Sequence, residues 1–98
     1  MSILITGATG AAAYKIKNRL AIEGIVMGDY ADLPSTMLSD KMIKLPNPAS
    51  ASYAHEMLKL CLDKSIVTVY AVKEEEWRLL QEAAQLFGEY GIELLNNA

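Results

Sequence analysis

Ile3-Leu4-Ile5-Thr6-Gly7-Ala8-Thr9-Gly10-Ala11-Ala12-Ala13 decides the fold. A short continuous apolar run is the mark of a buried parallel strand, and here it breaks at once into a glycine turn. Three alanines then open a helical pattern in which Ala13, Ile16 and Leu20 recur on one side, with Lys15, Lys17 and Arg19 off that stripe. Strand, glycine turn and helix in that order begin an α/β unit of the nucleotide-binding type. The turn brings backbone N–H groups and the positive end of a helix dipole to the carboxyl end of the strand, where anions are favoured.

Outward from this unit the alternation continues. The first helix is predicted from Ala11 to about Glu23, with Gly24 as its terminator. Gly24-Ile25-Val26-Met27-Gly28-Asp29 reads as a second strand ending in an acid. Tyr30 to Asp40, with Pro34, reads as a loop holding at most one helical turn, and Lys41-Met42-Ile43-Lys44-Leu45 before Pro46 as an edge strand. A polar connection ends in serines suited to capping a helix from Tyr53 to Lys64, whose apolar stripe is Ala54, Met57, Leu58, Cys61 and Leu62. Ile66-Val67-Thr68-Val69-Tyr70-Ala71 is the strongest strand signal in the chain. A helix is predicted from Glu74 to Tyr90, burying Trp77, Leu80, Ala83, Ala84 and Phe87, and Gly91 precedes a last short strand, Ile92 to Leu95. The expectation is one domain over residues 1–98, a three-layer Rossmann-like α/β fold: an open, mostly parallel sheet of about four or five strands with helices on both faces.

Composition bounds the function. The chain has 98 residues, 52% of them hydrophobic and 21% charged, which suits one small folded core. A net charge of −3 without a basic run gives no reason to expect nucleic acid. The single cysteine, Cys61, excludes an intramolecular disulfide and a multi-cysteine metal site. No apolar stretch reaches membrane-spanning length and the N-terminus is not a signal peptide, so a cytoplasmic protein without a membrane partner is expected.

In such sheets ligands sit beyond the carboxyl ends of the strands. The turn at Gly7 to Gly10, the strand end at Asp29 and the helix start at Lys73-Glu74-Glu75-Glu76 converge there. Asp29 stands about 20 residues beyond the turn, where a dinucleotide site carries its ribose-binding acid. The three glutamates complement a helix dipole, and as neighbours on a helix they do not point one way. His55 falls on the polar side of its helix, so no nucleophile–histidine pair is available, and no metal site is expected.

The whole pattern resembles the N-terminal, pre-ATP-grasp domain of ATP-grasp ligases, the group that contains carbamoyl-phosphate-synthase-like enzymes. Similar to that family are the opening Ile3 to Gly10, the acid-ending Gly28-Asp29, and Ser39-Asp40-Lys41 leading to Pro46. Val69 to Trp77, with its acidic stretch, and Phe87-Gly88-Glu89-Tyr90-Gly91-Ile92 complete the likeness. Ala71-Val72 stands where many relatives carry Pro-Thr, and Ala13 where many carry a third glycine. The resemblance implies a substrate-side domain of a carboxylate–amine ligase that is not catalytic alone and binds no cofactor alone. It implies that ATP and magnesium belong to the grasp domains, in a partner chain or a C-terminal continuation. Self-association is expected if an apolar patch lies bare where the next domain would sit. The candidate substrate- or nucleotide-binding residues are Gly7, Ala8, Thr9 and Gly10 through backbone N–H groups, and Asp29 and Glu75 through carboxylates. A β-branched residue at Gly10 is expected to harm folding or docking.

Two other readings compete. The opening Thr-Gly-Ala-Thr-Gly also resembles short-chain dehydrogenases and epimerases, which need a Tyr-x-x-x-Lys pair. Four residues after Tyr14, Tyr30, Tyr53, Tyr70 and Tyr90 come Asn18, Pro34, Met57, Glu74 and Leu94, so only a bare NAD(P)-binding module survives from that reading. A non-catalytic regulatory or interaction domain is the third.

Overall fold

The computed structural model describes residues 2–8, 10–20, 23–31, 34–39 and 41–96. The opening apolar run forms β1 (Ser2–Ile5), with Leu4 and Ile5 fully buried. After the glycine turn, α1 (Ala11–Leu20) buries Ala13 and Ile16 and leaves Lys15, Lys17 and Arg19 in solvent. Residues 21 and 22 of the predicted helix lie outside the described residues, and Glu23 sits in a bend. β2 (Ile25–Asp29) is buried along its whole length, Asp29 included. Among the described residues of the connection to the edge strand β3 (Met42–Lys44), one 3-10 turn (Ser35–Met37) is the helix present, and residues 32, 33 and 40 lie outside the described residues. The chain continues through α2 (Tyr53–Asp63), β4 (Ile66–Ala71), α3 (Glu74–Glu82), α4 (Ala84–Glu89) and β5 (Glu93–Asn96).

The five strands form one sheet in the order β3-β2-β1-β4-β5, and every pairing is parallel. This is an α/β Rossmann-like fold, as the alternation of elements predicts. The strand order reverses direction between β1 and β4, and that switch opens a crevice beyond their carboxyl ends. Strand alternation divides the side chains between two layers. Ile5, Ile25 and Met27 pack with Ala13 and Ile16 of α1. On the other face Leu4, Val26, Val69 and Ala71 pack with Tyr53, Met57, Leu58 and Cys61 of α2, Leu80 of α3 and Phe87 of α4. Burying each of the larger side chains is worth about 1.5–3 kcal/mol. Cys61 is a core residue, and burial pushes its thiol up to about 12.

Three expectations are corrected. The predicted helix from Glu74 to Tyr90 is two, because at Ala83 the N–H turns to the carbonyl of Leu80, three residues back, and interrupts the α-helical ladder. Leu80 and Phe87 are fully buried on either side of that break, whereas Trp77, Ala83 and Ala84 are only half-buried. Leu62, placed by its spacing on the apolar stripe of α2, is 47% exposed, because that helix buries the narrower row of Tyr53, Met57, Leu58 and Cys61. Ser52 occupies the N-cap of α2 without a capping side-chain bond; Ser50 instead donates its hydroxyl to Glu56 at 2.8 Å.

Candidate functional site

Thr6 follows the last residue of β1 and is fully buried. Its N–H donates to the carbonyl of Tyr70 at 3.0 Å, and its Oγ1 accepts from the N–H of Val72 at 3.0 Å. The threonine therefore stitches the carboxyl ends of β1 and β4 together across the switch point. Gly7 then takes φ of 67°, in the left-handed region that favours glycine, and a Cβ there would come within 3.3 Å of the Val72 Cβ. Gly10 has no such restriction: a Cβ would meet only the Gly7 carbonyl oxygen, at 3.5 Å. The left-handed backbone conformation that favours glycine in this turn falls at Gly7.

Two of the N–H groups expected to meet an anion are engaged within the chain. Ala8 donates to the carbonyl of Gly28 at 3.0 Å, and Gly10 donates to that of Gly7 at 2.9 Å. Thr9 lies outside the described residues. These bonds lock the turn against the ends of β1 and β2.

Asp29, the last residue of β2, is fully buried. Its Oδ1 accepts from the N–H of Ala31 at 3.2 Å and lies 3.4 Å from the ammonium of Lys73. Lys73 is the N-cap residue of α3, and its ammonium also stands 4.3 Å from the centroid of the Tyr30 ring, a cation–π distance. Partial burial alone would lower the pKa of Lys73, but attraction to Asp29, to Tyr30 and to Glu76 raises it above the ordinary lysine value. Tyr30 in turn donates its hydroxyl to Glu75 at 3.2 Å, on the exposed rim.

Glu76 points the other way from its neighbours. Glu74 and Glu75 are exposed, whereas Glu76 is fully buried in the first turn of α3. Its Oε1 accepts from the hydroxyl of Tyr53 at 3.4 Å, while Oε2 is buried without a hydrogen-bond partner among the described residues. Burial raises the Glu76 pKa above the usual carboxylate range, and the charge of Asp29 adds to it. Hydrogen bonding from Thr6, attraction to Lys73 and the Tyr53 bond offset this only in part. Tyr53 is held far above the ordinary tyrosine value, by burial first and by the nearby Glu76 charge second.

The structure thus brings Gly7, Ala8 and Asp29 to one place and puts Glu75 at its edge. It adds Thr6, Tyr30 and Tyr53, and from the helix start that the sequence places here it brings in Lys73 and Glu76, neither of which is a sequence-derived candidate binding residue. For Glu76 a signal existed: it lies four residues before Leu80 and eleven before Phe87, in helical phase with the buried stripe. An open pocket of about 300 Å³ lies elsewhere, between α1 and the β2–β3 edge, over a floor of Ile25, Met27 and Met42. It contains none of these groups.

What the cluster offers chemically is a pair of buried carboxylates, one shared cationic neighbour, and hydroxyls that fix their orientation. Nothing in it is arranged as a nucleophile with a base. No helix among the described residues is long and apolar enough to cross a membrane. No curated protein matches the chain. The model of the PylC-like N-terminal domain matches residues 2–95, and the chain accordingly belongs to that family of pre-ATP-grasp type domains.

Proposed function

We propose that this chain is the substrate-side N-terminal domain of an ATP-dependent carboxylate–amine ligase of the ATP-grasp type. The observation that carries the reading is the family match over nearly the whole chain. The buried polar cluster at the carboxyl ends of β1, β2 and β4 supports it, since that is where open α/β sheets meet their ligands. In this reading the domain forms one wall of the substrate site and performs no phosphate chemistry. ATP and magnesium belong to grasp domains, supplied by a partner chain or by a C-terminal continuation. A cytoplasmic setting fits an enzyme that consumes ATP.

The dinucleotide-module reading finds less support. It needs Asp29 to offer its carboxylate to a ribose, and that carboxylate is turned inward beside Lys73. The test is phosphate release from ATP, measured with this domain alone, with the accompanying ATP-grasp sequence alone, and with both. Release that requires both, in the presence of a carboxylate and an amine, is the expected result. No release from the pair, together with saturable quenching of Trp77 fluorescence by NAD(P), would replace the ligase reading with the dinucleotide one.

A further inference from the structure

On the sheet face that α1 covers, the packed helical side chains among the described residues, Ala13, Ile16 and Leu20, all belong to α1. Parallel strands are usually joined by a helix that covers the sheet, but among its described residues the β2–β3 connection holds only the 3-10 turn. The pocket of about 300 Å³ lies in that gap, with Ile25, Met27 and Met42 as its floor. Tyr14, an aromatic residue left 42% exposed, lines its wall. The rim is polar and is fixed by backbone bonds. Lys41 gives its carbonyl to the N–H of Met27 at 2.9 Å, and Ser39 and Met42 close an antiparallel bridge around it with bonds of 2.9 and 3.3 Å. The Ser39 hydroxyl accepts from the N–H of Lys41 at 3.2 Å and keeps its own O–H to donate. From α1, Lys17 joins the rim one helical turn beyond Tyr14. Neither lysine pairs with an acid among the described residues. Glu23 is the one acid among the described lining residues, so the rim carries two cations against one anion in a chain whose net charge is −3.

We propose that this pocket binds a small monocarboxylate with an apolar, aromatic body. The body lies on Ile25, Met27 and Met42 beside Tyr14, where flexible thioethers adapt to a ring. The carboxylate stays at the rim and accepts from the ammonium groups of Lys17 and Lys41 and from the Ser39 hydroxyl. A single net positive charge matches a monoanion; Glu23 opposes a second negative charge, and the two lysines oppose a cation. The volume stands at the lower end for small-ligand sites, and a partner helix, about 10–12 Å across, does not fit inside it. Ile25 and Met42 begin their strands, so the pocket lies toward the amino ends of β2 and β3, away from the switch-point cluster. The site goes beyond the ligase reading and does not depend on it.

The test is a titration of the isotopically labelled full chain with sodium hydrocinnamate, followed by amide chemical shifts. Hydrocinnamamide and phenethylammonium chloride, at equal ionic strength, present the same ring without the charge and with the opposite charge. Saturable shifts at Tyr14, Lys17, Ile25 and Met42 with the carboxylate are expected, with a dissociation constant on the order of 1 mM for a ligand of this size. The amide, which lacks the charge-assisted bonds, should bind about tenfold more weakly, and the ammonium should not saturate. Lys17→Gln combined with Lys41→Gln removes both charges at two exposed positions and should bring the carboxylate down to the affinity of the amide. Should that variant fail to fold, the three probes on the wild type decide alone. No saturation by the carboxylate at about ten times the expected constant overturns the proposal. So does equal affinity for the three probes, which would leave an apolar groove that reads no charge, or undiminished carboxylate binding in the folded double variant. Shifts at these residues that grow with protein concentration in the absence of any probe also overturn it, because a second copy is then the occupant. No ATP and no second chain take part, so failure here removes the carboxylate site and leaves the phosphate-release test of the ligase reading untouched.

Discussion

Under helices α2–α4 the fully buried side chains Leu4, Met57, Val69, Leu80 and Phe87 are apolar and share one cluster. At the carboxyl ends of the same strands Thr6, Asp29 and Glu76 are just as buried and polar. The two regions are joined through single elements: Tyr53 belongs to the apolar cluster by its ring and to the polar one by its hydroxyl, and α3 carries both Leu80 and Glu76. Apolar burial stabilises the fold by removing surface from water. Carboxylate burial opposes it unless each oxygen finds a partner, and Glu76 Oε2 has none among the described residues. The contrast teaches that the switch-point end of this sheet carries a destabilising arrangement that the apolar layer beneath must support.

That contrast can be broken from either side. The largest expected effect is in the apolar layer: Phe87→Ala empties a fully buried ring position and should cost about 3–5 kcal/mol of stability in denaturant unfolding. Next is the seam between the regions. Gly28, one residue before Asp29, has the Ile43 carbonyl oxygen 2.8 Å and the Leu45 Cγ 2.7 Å from where a Cβ would be. Gly28→Ala must push backbone aside, a loss of about 1–3 kcal/mol by the same measurement.

The polar region responds to pH with the opposite sign. Because the folded state raises the Glu76 pKa, the protonated form is the one folding favours. Its stabilising contribution is fully present below the unfolded value near 4.5 and is lost as pH rises through the folded pKa. Each unit of separation between the two values is worth about 1.4 kcal/mol. Glu76→Gln should therefore be more stable than the wild type at pH 8 and nearly equal to it at pH 4. Unfolding curves at the two pH values check this, and an unchanged gap between the proteins would show that Glu76 does not titrate on folding. The smallest effect belongs to the exposed neighbour. Glu74 lies 3.8 Å from Arg78 with both side chains mostly in solvent, so Glu74→Ala should shift stability by less than about 0.5 kcal/mol.

Most of the scaffold is legible in the chain because buried parallel strands read as apolar runs: Ile3 to Ile5 and Ile25 to Met27 are unbroken, and Ile66 to Ala71 is interrupted only by Thr68. The helix break at Ala83 is not, since Leu80, Ala83 and Phe87 keep helical spacing across it. At the site, Asp29 is legible by its distance from the glycine turn, but its burial is not. Lys73 reaches it across 44 residues and Tyr30 reaches Glu75 across 45, separations over which no local pattern specifies a contact. Glu76 sits in phase with the buried stripe, yet a charged residue between two like neighbours at a helix start reads first as a partner of the helix dipole. Only the packing of α3 against Thr6 and Tyr53 separates it from Glu74 and Glu75.

The most direct test of the central claim is affinity capture of this polypeptide from its own cells, followed by intact-mass analysis. The account predicts its recovery either within a longer chain carrying ATP-grasp sequence or bound to a subunit that carries it. Recovery as a 98-residue species with no such partner would contradict the assignment to a ligase and leave the fold without that function.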